Sequence, residues 1–302
     1  MGLSVLAAFI VTVDPYDSGR FFALLPPGVA DEAPRTANAS RGRDPQFTSA
    51  IFGNSYSQLL DPARLSAATG LRFVQMTVPG TGPREQMALL NWFRRSHRRI
   101  DVVVLGVDET WCDTDPALPL LNPFPFWLYG DTPEFVAHHL SLRTLTLGAR
   151  RIGMALGRTP RTDPAGYWDY ESGRVWNYRP APADNVLLDM SPRAGYGLAF
   201  PAADLLSREI GGLPAETRLV VQMPPQFRGA LPPSGTEKFV RLTGCKHEIM
   251  QRVAMRPNSV VLDFLRDTPD TRDPENFMDG GHIRAPIARM IEQKIAAAVL
   301  VR

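Results

Sequence analysis

The sequence predicts an α/β protein in which helices cover both faces of a parallel sheet, giving three layers. From residue 49 onward, short apolar runs alternate with longer segments of helical periodicity. Strands that are apolar along their whole length are typical of parallel sheets buried on both faces. Residues 109–200 break this alternation and hold Trp111, Trp127, Trp168 and Trp176, which indicates an aromatic-rich insertion.

Helix signals and apolar runs place the main elements. The helix predicted at Pro83–Ser96 has proline at its first position and Glu85 in its first turn, and both favour a helix N-terminus. The last helix carries Ile287, Ile291 and Ile295 at helical spacing, so one face should enter the core. Five runs are expected to form strands: 50–52, 71–78, 101–107, 218–223 and 260–264.

The N-terminal region is separate from this pattern. Residues 3–13 form an apolar run that is shorter than the roughly 20 residues a membrane span needs, and no basic flank precedes it. It is either the outer end of a membrane anchor or a buried strand or helix. Residues 25–47 contain prolines and charges and are interpreted as an extended linker. We therefore assign 1–45 to an N-terminal segment and 46–302 to the α/β domain.

The first core strand ends at a turn that suits a nucleophile. It breaks at Gly53-Asn54, and Ser55 stands where a helical segment begins. A residue there projects from the carboxyl end of the strand, close to the unpaired N–H groups of a helix start. The alternative is an ordinary strand-to-helix turn in which Asn54 or Ser55 serves as the N-cap.

A second motif lies just before the last helix. Asp279 and His282 are separated by Gly280 and Gly281. This spacing lets the carboxylate hold one imidazole nitrogen and leaves the other free to act as a base toward a serine. An isolated Asp-x-x-His also occurs as a surface turn or as half of a metal site. Combined with the serine turn, it favours a catalytic triad.

Gly53-Asn54-Ser55 and Asp279-x-x-His282 together resemble the SGNH (GDSL-like) hydrolase superfamily. The similarity extends over roughly residues 46–300 and is greatest to the membrane-anchored, envelope-facing branch that includes the alginate O-acetylation proteins and the D-alanyl lipoteichoic acid transfer protein. The resemblance implies an SGNH-like (flavodoxin-like) fold in which Ser55 is the nucleophile and Asp279 and His282 complete the triad. It also implies a periplasmic-side location and a membrane tether formed by the N-terminal run.

The same resemblance implies an oxyanion hole built from the serine N–H, a glycine N–H and an asparagine side chain. Gly80 matches the glycine, but Asp108 stands where the asparagine is usual. An ionised aspartate only accepts hydrogen bonds, so Asn54 or an N–H after Asp108 is a candidate substitute. Near Ser55 and Asp279, a second carboxylate should resist ionisation, so the pKa of Asp108 is expected to be raised, and a protonated Asp108 could donate. On this basis Asp108→Asn is expected to raise esterase activity.

Aromatic residues of the insertion are candidate sugar-binding groups. A hairpin is predicted around residues 171–174, with Trp168 and Trp176 on its strands. Together with Trp111 and Trp127, these rings could stack on sugar faces. The alternative is that they pack the insertion onto the sheet.

Composition excludes several classes of function. The net charge of +2 gives no electrostatic case for nucleic acid. No Cys-x-x-Cys pair, Walker loop or dinucleotide fingerprint occurs, so neither a metal site nor another cofactor is expected. Cys112 and Cys245 could form a disulfide in an oxidising compartment or remain two buried thiols.

Two functions remain. In the first, the protein is a serine-dependent O-acyl esterase or O-acyltransferase that acts on a cell-envelope glycan or an acylated small molecule, with a membrane-bound acyltransferase as a possible partner. In the second, the fold persists as a non-catalytic glycan-binding or assembly subunit. The intact Ser55, Asp279 and His282 favour the first function, and the aspartate at position 108 favours the second.

Overall fold

A five-stranded sheet forms the centre of the molecule, and all of its strands are parallel. The computed structural model describes residues 2–22, 24–29, 31, 33–113, 115–118, 122–130, 134–181, 186–195 and 197–301. The strands are β1 Ser49–Phe52, β2 Phe73–Gln75, β3 Val102–Gly106, β4 Arg218–Met223 and β5 Ser259–Asp263. Their order across the sheet is β2-β1-β3-β4-β5.

Helices occupy the connections between these strands and the N-terminal region. Those in the described residues are α1 Gly2–Val13, α2 Pro34–Arg41, α3 Pro62–Thr69, α4 Pro83–Ser96, α5 Thr110–Asp113, α6 Phe126–Tyr129, α7 Glu134–His138, α8 Leu142–Ala155, α9 Pro201–Gly211, α10 Glu237–Ala254, α11 Pro269–Arg272 and α12 Ala285–Leu300. The predicted three-layer α/β fold is confirmed.

The two faces of the sheet belong to different apolar clusters. Phe52 and Leu105 pack in the cluster that includes Phe93 of α4, on the side of α9 and α10. Ile51 packs in the other cluster with Ile291 of α12, on the side of α3. Alternate residues of β1 therefore face opposite layers, and burial of both faces explains why the strand is apolar along its length.

The order of the strands creates one switch point. β2 lies on one side of β1 and β3 lies on the other, so the direction in which the chain crosses the sheet reverses between β1 and β3. Ligands of open α/β sheets bind outside the carboxyl ends of the strands at such a point. The loops that follow Phe52 and Gly106 leave the sheet there.

Most predicted elements have nearly the predicted bounds. α4 and β4 begin and end where the sequence indicated. β2 spans Phe73–Gln75 and is shorter than the predicted 71–78. Hydrogen bonding to the β1 segment nevertheless continues, because the Met76 and Val78 N–H groups donate to the Ile51 and Gly53 carbonyls at 2.8 and 3.0 Å.

The N-terminal run forms helix α1, which packs on α8 of the insertion. Ile10 and Val13 are buried, whereas Val5 is 66% exposed. The buried Arg151 of α8 donates to the Val13 carbonyl at 2.9 Å. In the part of the chain that the structure describes, no helix has the length and apolar character needed to cross a bilayer. The membrane tether stays a prediction.

Two sequence-based expectations about irregular regions are wrong. The supposed extended linker contains helix α2, several of whose residues are buried. Residues 164–181 contain no strand, so the predicted hairpin is absent. Asp163 and Asp169 accept backbone N–H bonds from residues two positions ahead, and such Asx turns compete with strand pairing. The segment nevertheless covers the edge of the sheet, since Gln75 N–H donates to the Ala165 carbonyl at 2.7 Å.

Cys112 of α5 and Cys245 of α10 form a disulfide. Both are buried. The bond therefore ties the segment that follows β3 to a core helix.

We expect the Cys112→Ser/Cys245→Ser double variant to unfold more easily than the wild type. Closing a loop of 133 residues removes entropy from the unfolded chain, which corresponds to at most roughly 5 kcal/mol of unfolding free energy. Urea unfolding with and without reductant measures the difference. Reduced wild type should match the variant, and equal midpoints for oxidised and reduced wild type would contradict the prediction.

Candidate active site

Ser55, His282 and Asp279 form a continuous hydrogen-bonded relay at the carboxyl edge of the sheet. The Ser55 Oγ atom lies 2.8 Å from His282 Nε2. On the other side of the ring, His282 Nδ1 lies 2.7 Å from Asp279 Oδ2. The structure thus brings together the three residues that the two motifs singled out. A serine, a base and an orienting carboxylate in this order can activate a hydroxyl as a nucleophile.

A tight turn fixes the position of Ser55. Gly53 has a φ of +148°, and a Cβ there would lie 2.8 Å from the Ser57 hydroxyl, so glycine is required. Asn54 caps the short 3₁₀ turn Ser55–Ser57, since its side-chain oxygen accepts from Tyr56 N–H at 3.0 Å. Asn54 is therefore the N-cap, and Ser55 begins the turn with its hydroxyl free to face His282.

A small antiparallel clamp holds the loop that carries Asp279 and His282. Phe277 and Ile283 form a bridge, and Met278 N–H donates to the His282 carbonyl at 2.8 Å. A Cβ on Gly281 would lie 2.5 Å from the Tyr56 ring, so glycine at this position lets the ring approach. Tyr56 then packs edge-on against the imidazole with 4.9 Å between centroids.

The carboxylate of Asp279 is held in its ionised form. Its Oδ1 atom accepts from the backbone N–H groups of Gly281 and His282 at 2.9 and 2.8 Å. The hydrogen bond from His282 and these two N–H groups keep the pKa of Asp279 well below its usual range. Asp279 therefore stays negative and orients His282 through one ring nitrogen.

Two backbone N–H groups of these loops have no acceptor within the described residues. They belong to Ser55 and Gly80. Pro79, which precedes Gly80, lines the same cleft as Ser55 and His282. Free N–H groups beside a nucleophile can stabilise an oxyanion.

Asp108 is buried and faces Asn54. One carboxylate oxygen accepts from the Asn54 amide, and the other accepts from Thr110 N–H at 2.7 Å. These contacts contradict the expectation that Asp108 itself donates to an oxyanion, because both oxygens face donors. Asparagine at this position would offer one acceptor to two donors, so the expected gain from Asp108→Asn does not follow.

The predicted rise in the pKa of Asp108 is confirmed, but its main cause differs from the one expected. Burial raises the pKa of Asp108 to about 7, and the neighbouring Glu109 carboxylate adds to the rise. Asp108 thus changes charge near neutral pH while it holds the Asn54 amide.

A polar cluster that the sequence analysis did not predict lies beside His282. The Tyr56 hydroxyl donates to one Glu109 oxygen at 3.1 Å, and the Gln226 amide donates to the other. Burial raises the pKa of Glu109 and, with Glu109 itself, the pKa of Tyr56. These residues line a cleft of about 310 Å³ together with His282. Tyr56 and Glu109 directly follow Ser55 and Asp108 in the sequence, and this adjacency is the signal that could have indicated them.

A second cleft of about 210 Å³ lies on the serine side of the site. Trp168, Tyr170, Arg174 and Trp176 line it together with Ser55. Trp168 is 51% exposed, so its ring is accessible from solvent. Two of the four predicted substrate-binding tryptophans therefore border the serine.

The other two tryptophans lie elsewhere. Trp111 is fully buried, and its indole N–H donates to Gln86 at 3.1 Å, so the prediction that it binds substrate is wrong. Trp127 packs edge-on against Tyr16 and stacks on His138. It serves the packing of the insertion, which was the alternative interpretation.

No group of three or more metal-ligating side chains is gathered at one point in the described ranges. The chemistry that these ranges do assemble is that of a nucleophile, a base and an orienting carboxylate.

Comparisons with known proteins give little. No family model matches the sequence, and a search of curated proteins finds no match. Among solved structures, one similar chain is a gut microbial diltiazem-metabolizing enzyme, with 10% sequence identity and a TM-score of 0.40. The similarity covers 85% of this chain and 47% of that one, so this protein spans about half its length.

We expect the pH dependence of stability to change in Asp108→Asn. Folded wild type keeps the Asp108 proton up to about pH 7, whereas the unfolded chain loses it near pH 4. Unfolding therefore releases a proton between these values, and wild-type stability should fall with rising pH by roughly 4 kcal/mol at most. The variant lacks this titration.

Urea unfolding at several pH values between 4 and 8 measures the effect as the difference between wild type and variant. The exposed neighbour Asp113 supplies a matched control, Asp113→Asn. A difference that stays constant across the pH range would mean that Asp108 titrates normally.

Proposed function

We propose that this protein is a serine-dependent O-acyl esterase or O-acyltransferase that acts on a cell-envelope glycan. The observation that carries the proposal is the relay in which Ser55 Oγ, His282 and Asp279 are linked at 2.8 and 2.7 Å. Three such groups in one line form an arrangement that activates a serine for acyl transfer.

The first half of the reaction forms an acyl-enzyme. Ser55 Oγ attacks the ester carbonyl while His282 Nε2 takes the hydroxyl proton. The negative charge that develops on the carbonyl oxygen is stabilised by the free N–H groups of Ser55 and Gly80. The Asn54 amide is not free for the same role, because it donates to Asp108 and, at 3.5 Å, to the Thr81 carbonyl. His282 then returns the proton to the leaving alkoxide, and the serine keeps the acyl group.

The second half transfers the acyl group. His282 removes a proton from water or from a sugar hydroxyl, which attacks the acyl-enzyme and restores Ser55. The two products differ only in the identity of the attacking oxygen. Asp279, which stays ionised, stabilises the positive ring of His282 in both halves.

Three features support a glycan substrate outside the cytoplasm. Trp168 and Trp176 border the serine in an open cleft, and aromatic faces bind sugar rings. The Cys112–Cys245 disulfide fits an oxidising compartment. The apolar helix α1 fits a protein held near the membrane, where a membrane-bound acyltransferase could supply the acyl group.

We expect a serine-directed fluorophosphonate to label the purified protein at Ser55. The hydrogen bond from Ser55 to His282 should make this hydroxyl far more reactive than other serines of the chain. Mass spectrometry of the digested protein identifies the labelled residue.

Ser55→Ala should abolish labelling, whereas Ser234→Ala, which alters an exposed serine away from the relay, should not. Absence of label on Ser55 in the folded wild type would reject the enzyme. It would favour a non-catalytic glycan-binding or assembly subunit, the function that the aspartate at position 108 supports.

We expect Trp168→Ala to weaken the use of an acetylated oligosaccharide more than that of a small aryl acetate. Loss of one stacking contact should raise KM for the oligosaccharide by roughly five- to tenfold. Steady-state kinetics on both substrates test this, with Val175→Ala as control because Val175 is 99% exposed. An equal loss on both substrates would assign Trp168 to packing.

A further inference from the structure

The turn that carries Gly80 has a defined peptide orientation. Gly80 has a φ of +64°, and the ring of Pro79 fixes the preceding φ, which together match a type II turn. Type I and type II turns differ in which way the central peptide faces. The direction of the Gly80 N–H therefore depends on which of the two forms is stabilised.

Arg35 of the N-terminal helix α2 contacts this peptide directly. Its Nη2 donates to the Pro79 carbonyl at 2.9 Å and lies 3.4 Å from the Gly80 carbonyl. Its Nε donates to the Pro123 carbonyl of the insertion at 3.0 Å. The Arg35 backbone is itself held, because the Tyr129 hydroxyl donates to its carbonyl at 2.9 Å.

The hydrogen bond to Pro79 determines where the Gly80 N–H points. The structure contains no cis peptide bond among its described residues, and in a planar trans peptide the C=O and N–H point in opposite directions. Because Arg35 holds the Pro79 carbonyl on one side, the Gly80 N–H is directed to the other. No described residue accepts that N–H, and Pro79 lies in the wall of the cleft with Ser55.

We propose that Arg35 is a positioning residue for the oxyanion hole. It holds the Pro79–Gly80 peptide in the orientation that presents the Gly80 N–H to the acyl oxygen. This role rests on the proposed function, since it requires an ester carbonyl at Ser55. The assignment also links the N-terminal segment, which lies outside the α/β domain, to the rate of the reaction.

Arginine suits this role better than lysine. Its planar fork places Nη2 on the Pro79 and Gly80 carbonyls while Nε reaches Pro123. A lysine ammonium is a single compact point, so it could not reach the Pro79–Gly80 carbonyls and the Pro123 carbonyl at the same time. Asn122 supports the same turn from the insertion, since its amide donates to the Gly80 carbonyl at 3.3 Å.

The test compares four variants of the full chain with an aryl acetate as substrate. They are Arg35→Ala, Arg35→Lys, Arg43→Ala and Ser55→Ala. Arg43 is the matched control because it anchors the same N-terminal segment through Asp17 at 3.0 Å, and no contact joins it to the Pro79–Gly80 turn within the described residues. Thermal midpoints measured alongside the kinetics show whether each variant is folded.

We expect Arg35→Ala to lower kcat by roughly tenfold or more, approaching the hundredfold loss of a whole oxyanion donor, with KM changed less than twofold. Arg35→Lys should fall between Arg35→Ala and wild type. Arg43→Ala should leave kcat within twofold. If Arg35→Ala does not fold, Arg35→Lys decides: a loss of at least threefold in kcat at constant KM supports the role, and an unchanged kcat overturns it.

The Ser55→Ala variant separates failure of the positioning role from failure of the proposed function. If it is inactive while Arg35→Ala behaves like Arg43→Ala, the positioning role is overturned and the proposed function stands. If Ser55→Ala keeps full activity, the proposed function fails and the role of Arg35 fails with it.

Discussion

The hydrogen bond between Ser55 and His282 joins residues that are 227 positions apart, and the sheet makes it possible. Ser55 follows strand β1, and His282 shortly precedes helix α12, which packs on one face of the same sheet. Neither loop could hold its residue alone. Ser55 depends on the Gly53 turn, and His282 depends on the bridge between Phe277 and Ile283. The relay is therefore a product of the core, since burial of both faces of the sheet fixes the distance between the two loops.

Asp108 shows how the same constraint acts on a buried charge. It leaves β3 beside the loop of β1, and this places its carboxylate against the Asn54 amide. The Asp108 carboxylate accepts and the Asn54 amide donates. The amide next to the serine therefore belongs to the loop after β1 and not to the loop after β3. The disulfide at Cys112 fixes the segment just after Asp108 to α10. The Asp108–Asn54 pair is therefore held by β3 before Asp108 and by the disulfide after it.

The sequence predicted those features that depend on periodicity and on local backbone chemistry. Pro83–Ser96 was placed correctly because a proline start, an early glutamate and an apolar face all agree there. Ser55, Asp279 and His282 were identified because turn residues surround them. The aromatic insertion was less predictable. Trp111 and Trp168 are the same residue type, but Trp111 is fully buried and Trp168 is 51% exposed. Tertiary packing decides between those two positions, whereas the Asx turns that replace the hairpin are local contacts of Asp163 and Asp169 that compete with strand pairing.

The site is built from two kinds of structure with different sources of order. The relay rests on the sheet and on α12, whose positions the apolar core determines. The Gly80 turn instead meets Arg35 from the N-terminal segment and Asn122 from the insertion, two regions outside the regular alternation of strand and helix. Directional hydrogen bonds from these two segments contact the Pro79 and Gly80 carbonyls of that turn. Ser55 and His282 are therefore positioned by the fold, whereas the orientation of the Pro79–Gly80 peptide depends on contacts from the two flanking segments.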